Sequence, residues 1–243
     1  MTTIASPQNP KLKALRRLQT KRGRAAEGRF VVEGEDLVLA ARASGRTPVE
    51  GYRLAGVDIA GEDFYDVERS ALGSVSTLGS STRVIAVYEQ RWSTAAGPLC
   101  VYLHGVGDPG NVGTVLRSAA AFGASCVVLG PHCADPHSPK AVRASMGAIF
   151  HVPIARAGGV EDLPGERIAL DAAVKEPLRG PSEPVESGVT LLIGAERDGL
   201  PEEVLAACER RACIPILTES LNAAMAATVA LYEMTRQPSR VSA

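Results

Sequence analysis

The chain has 243 residues, 45% hydrophobic and 22% charged, with 26 lysines and arginines against 27 aspartates and glutamates for a net charge of −1. That length supports a sizeable core in one or two domains, and the near-neutral balance excludes a disordered polyelectrolyte and points to neither DNA nor a membrane as partner. Apolar runs are too short to cross a bilayer and the N-terminus lacks a signal peptide's apolar core; the five cysteines are odd in number and form no C-x-x-C pair, so a cytoplasmic protein with reduced thiols is expected.

Taken in order, Ser6 to Thr20 (SPQNPKLKALRRLQT) predicts a helix entered after Asn9-Pro10, with Leu12, Leu15 and Leu18 as a narrow apolar seam. The charge average hides an asymmetry here. Between Lys11 and Arg29 the chain carries Lys11, Lys13, Arg16, Arg17, Lys21, Arg22, Arg24 and Arg29 against only Glu27. A basic segment on a neutral protein suggests an arm for RNA phosphates, with Lys11 through Arg24 as candidate contacts; a solvated helix face is the alternative. Phe30 to Glu33 reads as a short strand and Glu35 to Ser44 as a helix closed by Gly45. Short apolar runs between Gly51 and Val87 alternate with glycine and serine, which suggests a small α/β domain over residues 1–92. Ser93 to Pro98 (STAAGP) has linker composition, so a second domain is expected over 98–243.

The second half repeats strand and helix. Candidate strands are Leu99 to Leu103, Cys126 to Gly130, Ile168 to Ala172, Val189 to Ala195 and Ala212 to Ile216. Candidate helices are Asn111 to Phe122, Pro139 to Phe150, Pro201 to Glu209 and Leu221 to Met234. That alternation implies a mostly parallel sheet covered by helices on both faces. Glu176 to Gly188, rich in proline and glycine, reads as a surface loop.

The stretch Asp108 to Gly123 (DPGNVGTVLRSAAAFG) is the most informative. Pro109 and Gly110 make a turn, Asn111 is expected as the helix N-cap, and Gly123 ends the helix. Val112, Val115, Leu116, Ala119 and Phe122 form its apolar stripe, leaving Asn111, Thr114, Arg117 and Ser118 as a polar patch. Such a patch beside the carboxyl end of a strand is where open α/β sheets present ligands. Two other readings compete. Gly105 to Gly110 (GVGDPG) matches a dinucleotide fingerprint, although Pro109 stiffens the loop and no ribose-binding acid ends the next strand. His132, Cys133, Asp135 and His137 share a loop, but their spacing fits no recognisable metal site, and no metal is expected.

Three segments form a set: NVGTVLR (Asn111 to Arg117), LLIGAERDGL (Leu191 to Leu200) and IPILTESLNAAMA (Ile214 to Ala226). In this order they resemble the three motifs of the SpoU (TrmH) family of RNA ribose 2'-O-methyltransferases, within the SPOUT superfamily. SPQNPKLKAL followed by GRFVVEGEDLV resembles the small substrate-binding domain that many members carry in front, and SPKAVRASMGAIFHVPI also fits. The resemblance implies a parallel-sheet α/β domain with a C-terminal trefoil knot, preceded by a small α/β substrate-binding domain. It implies S-adenosylmethionine as cofactor, structured RNA as substrate, ribosomal RNA ahead of transfer RNA, and a homodimer. Arg117 matches the family's catalytic arginine, with Asn111, Glu196, Ser220 and Asn222 around it. Either Arg117 or Glu196 takes the proton. Leu192, Gly194, Gly199, Ile214, Leu217 and Leu221 are the expected cofactor contacts. The third motif departs from the pattern, being short between Ile-Pro and Ser-Leu-Asn and carrying Ala224 where serine is usual. A transfer-RNA enzyme, or a non-catalytic RNA-binding protein that keeps the fold, are the alternatives.

Overall fold

The computed structural model describes residues 3–59, 63–78, 82–180, 188–218 and 220–236. They form two compact units, one of Met1–Arg91 with Asp135–His151, the other of Trp92–Ala134 with Val152–Ala243.

In the first unit, Asn9 caps helix α1 (Pro10–Leu18) by accepting a hydrogen bond from the Lys11 N–H, and Leu12, Leu15 and Leu18 are buried. The expected single helix stops there. Thr20 adopts an extended backbone and its side chain accepts from the Gly23 N–H, which starts a second helix, α2 (Lys21–Glu27), ended by Gly28 at φ 62°. Strand β1 (Arg29–Glu33), helix α3 (Glu35–Ala43), strands β2 (Glu50–Leu54) and β3 (Tyr65–Val67), helix α4 (Arg69–Gly73) and strand β4 (Val84–Glu89) follow. The sheet order is β1-β4-β2-β3, with β4 antiparallel to both neighbours and β2 parallel to β3. The leucine seam of α1 packs into a core with Val31, Tyr52, Ile85 and Val87.

The second unit opens with β5 (Leu99–Leu103), α5 (Pro109–Ala121) and β6 (Cys126–Leu129). Its α5 begins earlier than the sequence suggests. Asp108, not Asn111, is the N-cap: its carboxylate accepts from the Asn111 N–H at 3.1 Å, and Pro109 takes the first helical position, where its missing N–H costs nothing. The Asn111 side chain is thereby freed for other work. Ser118, expected in the polar patch, is buried instead, while Phe122 is only partly covered.

The next segment returns to the first unit. Ser138 caps α6 (Pro139–Ala144), and a 3-10 turn follows at Ala148–Phe150. Residues 135–151 therefore leave the expected C-terminal domain, because Phe150 packs 5.1 Å from the Tyr88 ring and His137 packs 4.8 Å from that of Phe30. The expected helix Pro139 to Phe150 breaks at Met146 and Gly147, with φ of 48° and 92°. A Cβ on Gly147 would lie 2.6 Å from that of Ala40, so the break is also a close approach to α3.

Strands β7 (Ile154–Arg156), β8 (Glu166–Leu170) and β9 (Val189–Ile193), helix α7 (Glu202–Ala206), strand β10 (Arg210–Ala212) and helix α8 (Ala223–Thr235) complete the second unit. All six strands run parallel in the order β10-β8-β9-β5-β6-β7. The central strands are buried on both faces, which explains their near-continuous apolar sequences. Strand β7 was not expected from the sequence, and β10 lies two residues before the predicted Ala212 to Ile216. Helix α8 packs on α5 through a hydroxyl pair, Ser118 Oγ to Thr228 Oγ1 at 2.6 Å, which is why Ser118 is buried. Gly180 passes so near the last turn of α8 that a Cβ there would sit 2.3 Å from the Glu233 carbonyl oxygen. Residues 181–187 of the expected surface loop, and Glu219 of the third motif, lie outside the described residues.

Candidate active site

The carboxyl ends of β8 and β9 open onto a cavity of about 500 Å³ in the second unit. Ile193 through Leu200 form one side of it, and Ile214, Ile216, Ser220, Leu221, Ala223 and Ala226 another. Residues 195–199 close on themselves: the Ala195 N–H donates to the Gly199 carbonyl at 3.2 Å and the Gly199 N–H to the Ala195 carbonyl at 3.0 Å. Gly199 sits at φ 66°, and a Cβ on Gly194 would meet the Gly199 carbonyl carbon at 2.1 Å. Both glycines are thus required by the turn itself. Of the six expected cofactor contacts, Gly194, Gly199, Ile214 and Leu221 line the cavity. Leu192 instead joins the core with Leu200 and Val204, and Leu217 points fully into solvent, so neither contributes a wall.

Three of the expected catalytic residues converge at the rim. Asn111 donates from Nδ2 to the Glu196 carboxylate, and its Oδ1 accepts from Asn222 Nδ2 at 3.2 Å. Asn222 Oδ1 in turn accepts from the Ala224 and Met225 N–H groups at 3.0 and 3.3 Å, capping α8. Each amide orientation follows from its partner: a carboxylate offers only acceptors, and a helix N-terminus only donors. Ser220 lines the cavity beside them. Arg117 does not join this chain of bonds. It lies about 9 Å further along α5 by helical rise, exposed and without a hydrogen bond or ion pair among the described residues.

Sequence reading missed an ion pair in the same cavity. Asp171, just past β8, accepts from Arg211 Nε at 2.9 Å and Nη2 at 2.5 Å, with both residues lining the space. Burial alone would raise the Asp171 carboxyl, but the Ala173 N–H and the Arg211 guanidinium outweigh it and hold it below the usual range. An acid closing a predicted parallel strand was the available signal.

The cavity suits S-adenosylmethionine. Its volume lies in the usual range for small-molecule sites, about 300 to 1,000 Å³, its apolar side chains can face the adenine, and Glu196, Asp198 and Glu202 offer negative charge to a cationic ligand. The dinucleotide reading fails at α5, because the Asp108 carboxylate already occupies the helix N-terminus where a pyrophosphate would sit. Of the four residues of the candidate metal loop, Cys133 donates its thiol to the Leu103 carbonyl, and the Asp135 carboxylate is taken by Arg24. Among the described residues no group of three or more His, Cys, Asp or Glu is assembled to hold a metal.

The basic segment divides into three kinds of residue. Arg24 is only 3% exposed. It pairs with Asp135 at 2.7 Å and donates to the Leu18 and Gln19 carbonyls, so it ties the first unit together and does not belong to an RNA-facing set. Lys11 pairs with Glu50, Arg17 with Glu27, and Arg16 donates to the Pro7 carbonyl and Ser74 hydroxyl. Lys13, Lys21 and Arg22 are exposed and have no partner among the described residues.

Residues 98–232 match the family described as the SpoU rRNA Methylase family, and residues 9–86 match an MRM3-like substrate binding domain. The chain is 29% identical to the 23S rRNA (guanosine(2553)-2'-O)-methyltransferase RlmP of Bacillus subtilis, across 96% of this chain and 99% of that one. It is 31% identical to an uncharacterized tRNA/rRNA methyltransferase of Synechocystis, across 98% of this chain and 94% of the relative. The AdoMet-bound rRNA methyltransferase of Sinorhizobium meliloti superposes with a TM-score of 0.84 at 31% identity, covering 96% of this chain and 97% of that structure. With both of its domains matched in order, the chain belongs to the SpoU rRNA methylase family.

Proposed function

We propose that the protein is a ribose 2'-O-methyltransferase that takes its methyl group from S-adenosylmethionine and acts on structured RNA, ribosomal RNA ahead of transfer RNA. The observation that carries the reading is the hydrogen-bonded trio Asn111, Glu196 and Asn222 at the rim of a cavity of suitable size. Bound in that cavity, S-adenosylmethionine supplies a methyl group on a cationic sulfonium. Ile214, Leu221 and the turn between Gly194 and Gly199 hold it and keep water away.

A ribose hydroxyl is too weak an acid to react unaided. Asn111 fixes the Glu196 carboxylate so that its remaining lone pairs can accept the hydroxyl proton, and Asn222 in turn fixes Asn111. Arg117 clamps a neighbouring RNA phosphate with its planar fork and so orients the ribose, a role supported by its being exposed and uncommitted among the described residues. A guanidinium holds its proton, so the division of labour that we favour gives the proton to Glu196 and the phosphate to Arg117.

The exposed basic side chains of the first unit supply RNA affinity. The names of the relatives support ribosomal RNA, and the expected compartment is the cytoplasm. We further infer a homodimer that pairs through the outward face of α8, where Met225, Val229 and Tyr232 are 62%, 41% and 56% exposed. The family's knot is part of the same reading, and the close passage of Gly180 beside the end of α8 supports it. Mapping 2'-O-methyl positions on RNA from cells with and without the gene tests the function. One ribosomal position should lose its methyl group; an unchanged map would refute the assignment.

A further inference from the structure

The Asp171–Arg211 pair has chemistry that the proposed roles of Asn111, Glu196 and Asn222 do not use. The Asp171 side chain is 12% exposed and that of Arg211 36%, and both residues line the cavity. Arg211 spends Nε and Nη2 on Asp171 Oδ2. Its Nη1 edge meets only Glu202 Oε1, at 3.6 Å, and the Glu202 side chain is 80% exposed. That separation is too long for a hydrogen bond, so the Nη1 edge is held by charge alone and its N–H groups make no hydrogen bond among the described residues. On the other side of the pair, Asp171 Oδ1 accepts from the Ala173 N–H at 2.9 Å, which fixes the carboxylate and leaves it lone pairs to spare. A half-buried carboxylate locked against a guanidinium whose Nη1 edge makes no hydrogen bond among the described residues is complementary to a zwitterion.

We propose that Arg211, held by Asp171, recognises the carboxylate of the amino-acid head of S-adenosylmethionine and so sets which way the cofactor lies. This rests on the assignment of the cavity as the cofactor site. Ile214, Ile216 and Leu221 offer a charged head no partner, whereas a guanidinium meets a carboxylate through a charge-assisted hydrogen bond stronger than any it makes to a neutral adenine. The apolar side chains and the ion pair therefore sort the two ends of the ligand by chemistry. Anchoring the head holds the sulfonium at a fixed depth, which positions the methyl group for the residues at the rim. Arg211 acts here as a specificity-determining residue for the cofactor, and Asp171 as the residue that positions it.

The test compares S-adenosylhomocysteine with its decarboxylated amine analogue, identical except for the missing carboxylate, by calorimetry on the full chain. The protein should bind S-adenosylhomocysteine roughly tenfold or more tighter than the analogue, as expected for loss of a charge-assisted hydrogen bond. Arg211→Gln should erase that preference by weakening S-adenosylhomocysteine alone, and Arg211→Lys should keep only part of it, because lysine lacks the fork. Equal affinity of the unaltered protein for the two ligands would overturn the proposal whether or not any variant folds. So would an Arg211→Gln protein that weakens both ligands by the same factor, since that is the signature of a purely structural ion pair. Failure of the unaltered protein to bind S-adenosylhomocysteine at all would instead remove the cofactor assignment beneath it.

Discussion

Asn222 Nδ2 donates to Asn111 Oδ1 at 3.2 Å, joining the first turn of α5 to the cap of α8 across 111 residues of sequence. Because Asn111 then donates to Glu196, a single side chain couples the fold of the second unit to the orientation of its proposed base. Asn111→Ala should leave cofactor affinity nearly unchanged and lower methyl transfer roughly 100-fold, within the range for general-base catalysis. Asn111→Asp should be worse, since it sets one carboxylate against another. Transfer rates and cofactor binding measured on the same proteins check this, and a parent-like rate for either variant would remove Asn111 from the machinery.

Arg24 should matter to stability and not to RNA affinity. It is buried against Asp135 and two backbone carbonyls, so Arg24→Ala strands a buried carboxylate, a change that costs about 3 to 5 kcal/mol when a buried pair is broken. Urea unfolding should show the loss. A variant that keeps its unfolding midpoint while losing RNA would return Arg24 to the binding face.

RNA affinity should instead follow Lys13, Lys21 and Arg22, the exposed basic residues without partners among the described residues. Each phosphate contact releases counterions, so replacing all three with alanine should flatten the plot of log affinity against log salt by about 2 to 3 in slope. Cofactor binding should survive. An unchanged slope would make this a solvated helix face.

The exposed apolar residues of α8 carry the dimer prediction. Light scattering should report about twice the chain mass of 25.4 kDa. Val229→Glu, which places a charge in the middle of that face, should give a monomer with much reduced transfer. A native monomer with full activity would contradict the dimer.

The sequence made the second unit largely legible because parallel strands buried on both faces leave continuous apolar runs, as in Leu99 to Leu103 and Val189 to Ile193. Strand β7 leaves no such run because it is an edge strand of three residues. Asparagine favours the cap position that the sequence predicts for Asn111, but an aspartate three residues earlier with proline after it competes better. The same displacement that spoils the cap frees Asn111 for Glu196, which local propensity cannot reveal. Arg24 and Ser118 show the corresponding limit for side chains. Each is polar in a polar stretch, and each is buried by a partner remote in sequence, Asp135 or Thr228.

The most direct test of the catalytic assignment is methyl transfer from labelled S-adenosylmethionine to ribosomal RNA by the unaltered protein and by Arg117→Ala, with cofactor binding measured on both. If Arg117 works on the ribose or its phosphate in the transition state, kcat and kcat/KM should fall together by a hundredfold or so while cofactor affinity holds. Arg117→Lys should recover little. A parent-like rate in Arg117→Ala would make Arg117 a surface arginine, and binding of RNA with no methyl transfer by either protein would make the chain an RNA-binding protein that keeps the fold.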